Sequence, residues 1–90
     1  GVTVQNLTPQ ITRELGLKKS VGVVVTGVEP GSPAAEAAIQ SGDVIQAVNR
    51  IPVKNVDDFV KIVEKAQGGG SLLLLVQRGA NSLFAAVTPR

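Results

Sequence analysis

Cysteine and histidine are both missing from the 90 residues of this chain. Without cysteine there are no disulfides and no thiolate metal sites, and the redox compartment is left open. Without histidine, Ser-His-Asp and Cys-His nucleophiles, imidazole ligation of metals and the usual neutral-pH general base are excluded. Tryptophan, tyrosine and methionine are absent too, and Phe59 and Phe84 are the only aromatics. A core must therefore be built from Val, Leu, Ile and Ala. No uninterrupted apolar run is longer than Leu72 to Val76, far short of the ~20 residues of a membrane-spanning helix. The lack of an initiator Met, and of a charged segment followed by an apolar one at the start, predicts a piece of a larger protein.

Charge is scarce in clusters rather than in number. The nine basic residues are scattered, with Lys18-Lys19 the only adjacent pair, and the net charge is +2. Basic residues without interleaved aromatics argue for a solvated surface and against nucleic-acid binding. A chain of this length predicts one domain, residues 1–90, able to bury roughly 60–65% of the surface its unfolded form exposes. One modest core fits, without a deep enclosed active site, and there is no internal repeat or low-complexity segment.

What is present reads as alternating strands and short helices. Val2 and Val4 alternate with Thr3 and Gln5, predicting a half-buried strand to about Leu7. Thr8 caps a helix opened by Pro9 and ended by Gly16, with Ile11, Leu15 and Leu17 on its apolar side. Gly22 to Val28 is a largely buried strand, broken by Glu29-Pro30-Gly31. Ser32 caps and Pro33 opens a short helix over Ala34 to Ala38, ended by Ser41-Gly42. Asp43 to Asn49 carries apolar residues at both parities and predicts a buried strand. Ile51 to Val53 can only be short or at an edge, because Pro52 cannot donate to a ladder.

Asn55 then caps the long helix, whose first turn holds Asp57 and Asp58 where the helix dipole favours negative charge. Phe59, Ile62, Val63 and Ala66 suit the core side, while Val56 and Val60 look sideways. Gly68-Gly69-Gly70 ends it. The four leucines within Ser71 to Gln77 predict a strand buried on both faces. Arg78 to Asn81 forms a hairpin turn, and Leu83 to Val87 is the last strand, stopped by Pro89. The sum is an α+β fold, a partly open barrel or sandwich of five to six strands capped by two to three helices.

Few side chains form a catalytic arrangement. Ser20 beside Lys19 is the nearest to a Ser-Lys dyad, but neighbours in extended chain point apart and nothing apolar nearby would depress the lysine pKa. Asp43 has no further carboxylates close by to share a metal, and an Asx turn accounts for it. Asp57 and Asp58 diverge by about 100° around a helix, so they cap rather than form a catalytic pair. The Glu29-Pro30-Gly31-Ser32 turn repels anions, and Gly68-Gly69-Gly70 matches no phosphate-binding fingerprint. What survives is an exposed strand edge beside a helix with a spare apolar face, which either packs into the core or accepts an extended peptide as an added strand.

Pro30-Gly31-Ser32-Pro33-Ala34-Ala35 running through a small helix into Gly42-Asp43-Val44-Ile45, then Val48-Asn49, resembles the signature of PDZ domains. With Thr8-Pro9, Gly16-Leu17 and Pro52-Val53-Lys54-Asn55, nearly the whole chain looks like the PDZ domains of bacterial HtrA/Do-like (DegP-type) serine proteases, and within them the second, C-terminal one. Two departures show: Ala38 stands where the family commonly has Gly, and Asn49-Arg50 where it has Asn-Gly. The resemblance implies the circularly permuted bacterial PDZ fold and a peptide-binding module without catalytic residues or cofactor, the triad lying in a separate upstream domain.

The partners it implies are C-terminal or unfolded peptide segments and other domains or subunits of the parent, so that proteolysis and assembly are regulated in the periplasm, without nucleic acid and without membrane insertion. Gly1-Val2 matches the second half of the carboxylate-binding loop. The groove strand would be Val2 to Asn6, so that Gly1, Val2, Thr3, Val4 and Gln5 meet the peptide from one side. Val56, Val60, Val63 and Glu64 face it from the helix. Rival readings are a groove filled by the parent's own chain, and the PDZ domain of another membrane-associated protease or secretion component.

Overall fold

The computed structural model describes residues 2–17, 21–66, 71–79 and 81–88. In chain order the elements are β1 (Val2–Asn6), α1 (Pro9–Glu14), β2 (Val23–Val28), α2 (Pro33–Glu36), β3 (Val44–Val48), β4 (Ile51–Pro52), α3 (Val56–Ala66), β5 (Leu72–Arg78) and β6 (Asn81–Val87). They form a mixed α/β fold around one open, antiparallel, six-stranded sheet ordered β1-β2-β3-β5-β6, with β4 paired to β3. β1 and β6 are the ends of that path.

The core is aliphatic, as the scarcity of aromatics required. Val23, Val25, Ile45, Val48, Val53 and Val76 are at most 1% exposed, and Ala34, Ile39, Leu72, Leu74, Ala85 and Val87 join them. Each fully buried Val, Ile or Leu contributes roughly 1.5–3 kcal/mol. Phe59 only flanks this cluster, and Phe84 is 65% exposed.

The helix starts follow from their caps. The Thr8 hydroxyl accepts from the Ile11 amide at 3.1 Å, and the Ser32 hydroxyl from the Ala35 amide at 3.2 Å, each with a proline at the first helical position. In α1, however, the buried residue is Thr12, while Ile11, Leu15 and Leu17 are only half-buried. Its hydroxyl donates to the Thr8 carbonyl at 2.8 Å, which satisfies the one polar group it would otherwise strand.

Two expectations about β5 and β6 are corrected. β5 is not buried on both faces: Leu72, Leu74 and Val76 are buried, whereas Leu73 and Leu75 are half-buried. Leu75 lies opposite Ala47 on one side and the exposed Phe84 on the other. The hairpin closes between Arg78 and Asn81, as expected, but the last strand is longer. Arg78 pairs with Asn81 inside the ladder, so β6 begins two residues earlier than Leu83. The segments 18–20 and 67–70, with Ala80 and Pro89, lie outside the described residues, and with them the Lys19-Ser20 pair and the glycine run.

Both departures from the PDZ pattern keep the backbone that glycine would favour. Ala38 has φ +67°, and Asn49 and Arg50 have φ +51° and +68°. Asn49 is tied in place on both sides of its peptide: its amide donates to the Leu73 carbonyl at 2.7 Å, and its side-chain oxygen accepts from the Leu73 amide at 2.9 Å. Gly22 is required for a different reason. At φ +110° an added Cβ would sit 2.6 Å from the Ile45 carbonyl oxygen.

Candidate functional site

β1 pairs with β2 on one side only, from Val2 opposite Val28 to Asn6 opposite Val23, with a bulge between Thr3 and Val4. Its other edge has no strand partner among the described residues. The period-two pattern does what the sequence implied: Val2 and Val4 are half-buried against the core, and Thr3, Gln5 and Asn6 are exposed. An open depression of about 350 Å³, lined by Val2, Thr3, Gly27, Val28, Glu29 and Pro30, flanks the start of this strand.

α3 lies against β1 and β3. Its N-terminus is organised by three bonds. The Asn55 side-chain oxygen accepts from the Asp58 amide at 2.9 Å, and the Asp58 carboxylate accepts from the Lys54 amide at 3.2 Å. The Asn6 side-chain oxygen, reaching across from β1, accepts from the Val56 amide at 2.8 Å. Asp57 and Asp58 sit in the first turn and Lys65 in the last, each complementing the helix dipole. Val56, Phe59, Ile62 and Val63 pack against the core, whereas Val60 is 43% exposed and Glu64 points to solvent.

Of the nine candidate residues, Val2, Thr3, Val4 and Gln5 thus stand along the free strand edge, and Val56, Val60, Val63 and Glu64 along the neighbouring helix. Gly1 lies outside the described residues. The sequence reading missed Asn6, whose only signal was a capping-type residue at a strand end. It also missed the partner of Asp43. The register that sets Val44 opposite Gln77 makes Asp43 and Arg78 neighbours, and Arg78 donates to both oxygens of that buried carboxylate at 2.8 and 2.7 Å. Arg78 also donates to the Ala38 carbonyl at 3.0 Å, and the Gln40 amide donates to Asp43 at 2.9 Å, a turn amide three residues before the carboxylate and not the one two residues ahead that an Asx turn uses.

Burial by itself pushes the Asp43 carboxyl up. The hydrogen bonds from Arg78 and the Gln40 amide, with the Arg78 charge, outweigh it and hold the group below its ordinary value. The bond that Arg78 donates to Asp43 moves Arg78 up in turn. Among the described residues no cluster of three or more His, Cys, Asp or Glu could hold a metal, and no helix is long and apolar enough to cross a membrane.

A family model for the PDZ domain matches residues 24–78. That is more than half of the chain, and the chain belongs to the PDZ domain family. Solved structures narrow the kind. The PDZ domain of HtrA3, crystallised with the phage-derived ligand FGRWV, is 31% identical with a TM-score of 0.82, over 100% of this chain and 82% of that one. The HtrA-type protease AlgW with a decapeptide is 28% identical with a TM-score of 0.85, over 98% of this chain and 27% of that one.

A protein of Chlamydia muridarum (strain MoPn / Nigg) described as a probable periplasmic serine endoprotease DegP-like is 45% identical over 78 residues. The match takes in 86% of this chain and 16% of that relative's length. The domain is thus a PDZ domain of the HtrA/DegP-like protease kind.

Proposed function

We propose that this chain is the peptide-binding module of an HtrA/DegP-like serine endoprotease. It takes C-terminal or extended apolar segments of substrates or neighbouring subunits as a strand added to β1, and so regulates proteolysis and assembly in the periplasm, the compartment that the names of its relatives give. Residues 1–90 act as one unit, the second PDZ domain of the parent, and the catalytic serine belongs to another domain. The observation that carries this reading is the unpaired edge of β1 beside α3, with Val60 exposed on the helix. An extended peptide satisfies its own amides and carbonyls on such an edge while its alternate side chains meet the helix.

The residues divide the work. Gly1 and Val2 offer amides to the peptide's terminal carboxylate, and Val2, Val4 and Val60 receive an apolar last side chain. Thr3 and Gln5 contribute backbone, and Val63 and Glu64 border the groove. Val56 meets the third residue from the end. A hydroxyl buried there would lose water without a partner, at about 1–3 kcal/mol, whereas an aliphatic side chain gains about 25 cal/mol for each Å² removed from water.

FGRWV, the ligand of the HtrA3 domain, ends in Val and is the starting probe. Fluorescence polarisation with FGRWV, its C-terminal amide, FGVWV and FGTWV tests the reading. The free acid should bind about tenfold or more tightly than the amide, and FGVWV should exceed FGTWV by a similar factor. Val56→His should shift the preference towards Thr. Equal binding of acid and amide, or a wild-type preference for FGTWV, would overturn the groove assignment.

A further inference from the structure

We infer that Asn6 is the positioning residue for Val56, and through it sets the selectivity of the groove at the third-from-last peptide residue. This rests on the groove reading of β1 and α3. Asn6 and Val56 are 50 residues apart in the chain, yet the Asn6 carboxamide meets the Val56 amide at 2.8 Å. Because the backbone contributes an N–H, the carboxamide atom in contact is its oxygen.

The helix does not need this bond to start. Asn55 already caps it through the Asp58 amide, and Asp58 returns the interaction to the Lys54 amide. The Asn6 bond is therefore a tie between the two walls, made at the residue that faces the third-from-last position. Val60, one turn further along α3, is the residue assigned to the last side chain. A helix held at its first residue can shift at Val60 without moving Val56, but Val56 cannot leave β1 while the bond stands. The tie acts on one subsite and not on the other.

The test uses Asn6→Ala and Asn6→Asp, the second keeping an oxygen acceptor and adding a charge that suits a helix N-terminus. Wild type and variants are titrated with FGVWV, FGTWV and FGVWS, with thermal unfolding as the check on folding. In Asn6→Ala the ratio of FGVWV to FGTWV affinity should fall from about tenfold to about twofold, while the ratio of FGVWV to FGVWS stays as in wild type. Asn6→Asp should restore the first ratio. Hydrogen exchange read by NMR gives an independent view: Asn6→Ala should speed exchange of the Val56 amide but not of the Asp58 amide, and this holds even where peptide affinity is too weak to rank.

An unchanged Val-to-Thr ratio in Asn6→Ala, failure of Asn6→Asp to restore it, or an equal loss for all three peptides would overturn the inference and leave the groove reading standing. Wild-type protein that binds none of the three peptides overturns the groove reading itself, and the inference with it.

Discussion

The two ends of the sheet are both uncharged strands, and they are built differently. β6 is the longer and more regular, seven residues in unbroken register with β5, and it exposes Phe84. β1 has five residues, a bulge after Thr3, and no large exposed apolar side chain of its own. By edge length and apolar exposure alone, β6 is the better template for another chain. What β1 has instead is α3, 11 residues long, lying against it and exposing Val60. The helix beside β6 is α2, four residues of Pro, Ala and Glu with Ala34 turned into the core. Among the described residues both ends of the sheet leave a strand edge unpaired, but only the β1 end has a long helix with an exposed apolar residue beside it.

The largest effect should come from the clamp between Asp43, just before β3, and Arg78, the residue of β5 that pairs with the start of β6. Asp43 is buried and Arg78 is partly exposed, so Asp43→Ala removes two charge-assisted bonds and leaves the Gln40 amide without its acceptor. We expect a loss of about 2–3 kcal/mol, measured by urea unfolding at pH 7, with FGRWV affinity unchanged at temperatures where both proteins are folded. The loss should also depend on pH in one direction. The folded-state pKa of Asp43 lies below its ordinary value of 3.8, so its stabilisation is complete above that value and disappears as pH falls through the lower, folded one. The gap between wild type and Asp43→Ala should therefore be constant from pH 7 to 5 and narrow below about pH 4. A gap that widens on acidification would show that the carboxylate is not what the clamp relies on.

The next effect tests the comparison directly, by placing the same charge at each end. Val60→Glu and Phe84→Glu both replace an exposed apolar residue, and each should alter stability by no more than about 0.5 kcal/mol. Val60→Glu should weaken FGRWV more than about tenfold, because a carboxylate would have to be desolvated beside the peptide's terminal side chain. Phe84→Glu should leave that affinity within about twofold of wild type. Equal losses from the two substitutions would mean that peptide is captured at β6 as well, and unchanged binding in Val60→Glu would remove α3 from the site.

How legible these two ends were in the sequence depended on the range of the interactions that make them. The helix starts at Thr8, Ser32 and Asn55 could be read because a cap and its amide are three residues apart. β1 could be read because alternation is local. The run of leucines in β5 misled, since an apolar stretch says nothing about what covers its second face, and Leu73 and Leu75 on that face are only half-buried. Asp43 with Arg78 and Asn6 with Val56 are 35 and 50 residues apart, and only the folded register brings them together. The groove itself was placed by resemblance to PDZ domains, because wide apolar helices and edge strands are common in domains that bind nothing.

The smallest effect concerns the turns that join these parts. Ala38 and Arg50 hold φ of +67° and +68°, a left-handed conformation that costs a residue with a Cβ about 1–2 kcal/mol. Glycine removes that cost but gives the unfolded chain more freedom, so Ala38→Gly and Arg50→Gly should each raise stability by only about 0.5–1 kcal/mol. Asn49 is the internal control. At φ +51° it shares the conformation, but asparagine tolerates it and its side chain accepts the Leu73 amide, so Asn49→Gly should destabilise where its neighbour stabilises. Ala38 adds a further constraint, because its carbonyl accepts from Arg78 and the gain must come without loosening that bond. Urea midpoints for the three variants decide it. If Arg50→Gly and Asn49→Gly move the midpoint in the same direction, backbone strain does not govern this turn; if either changes FGRWV affinity, the turns are coupled to the β1 groove and the two ends of the sheet are not independent.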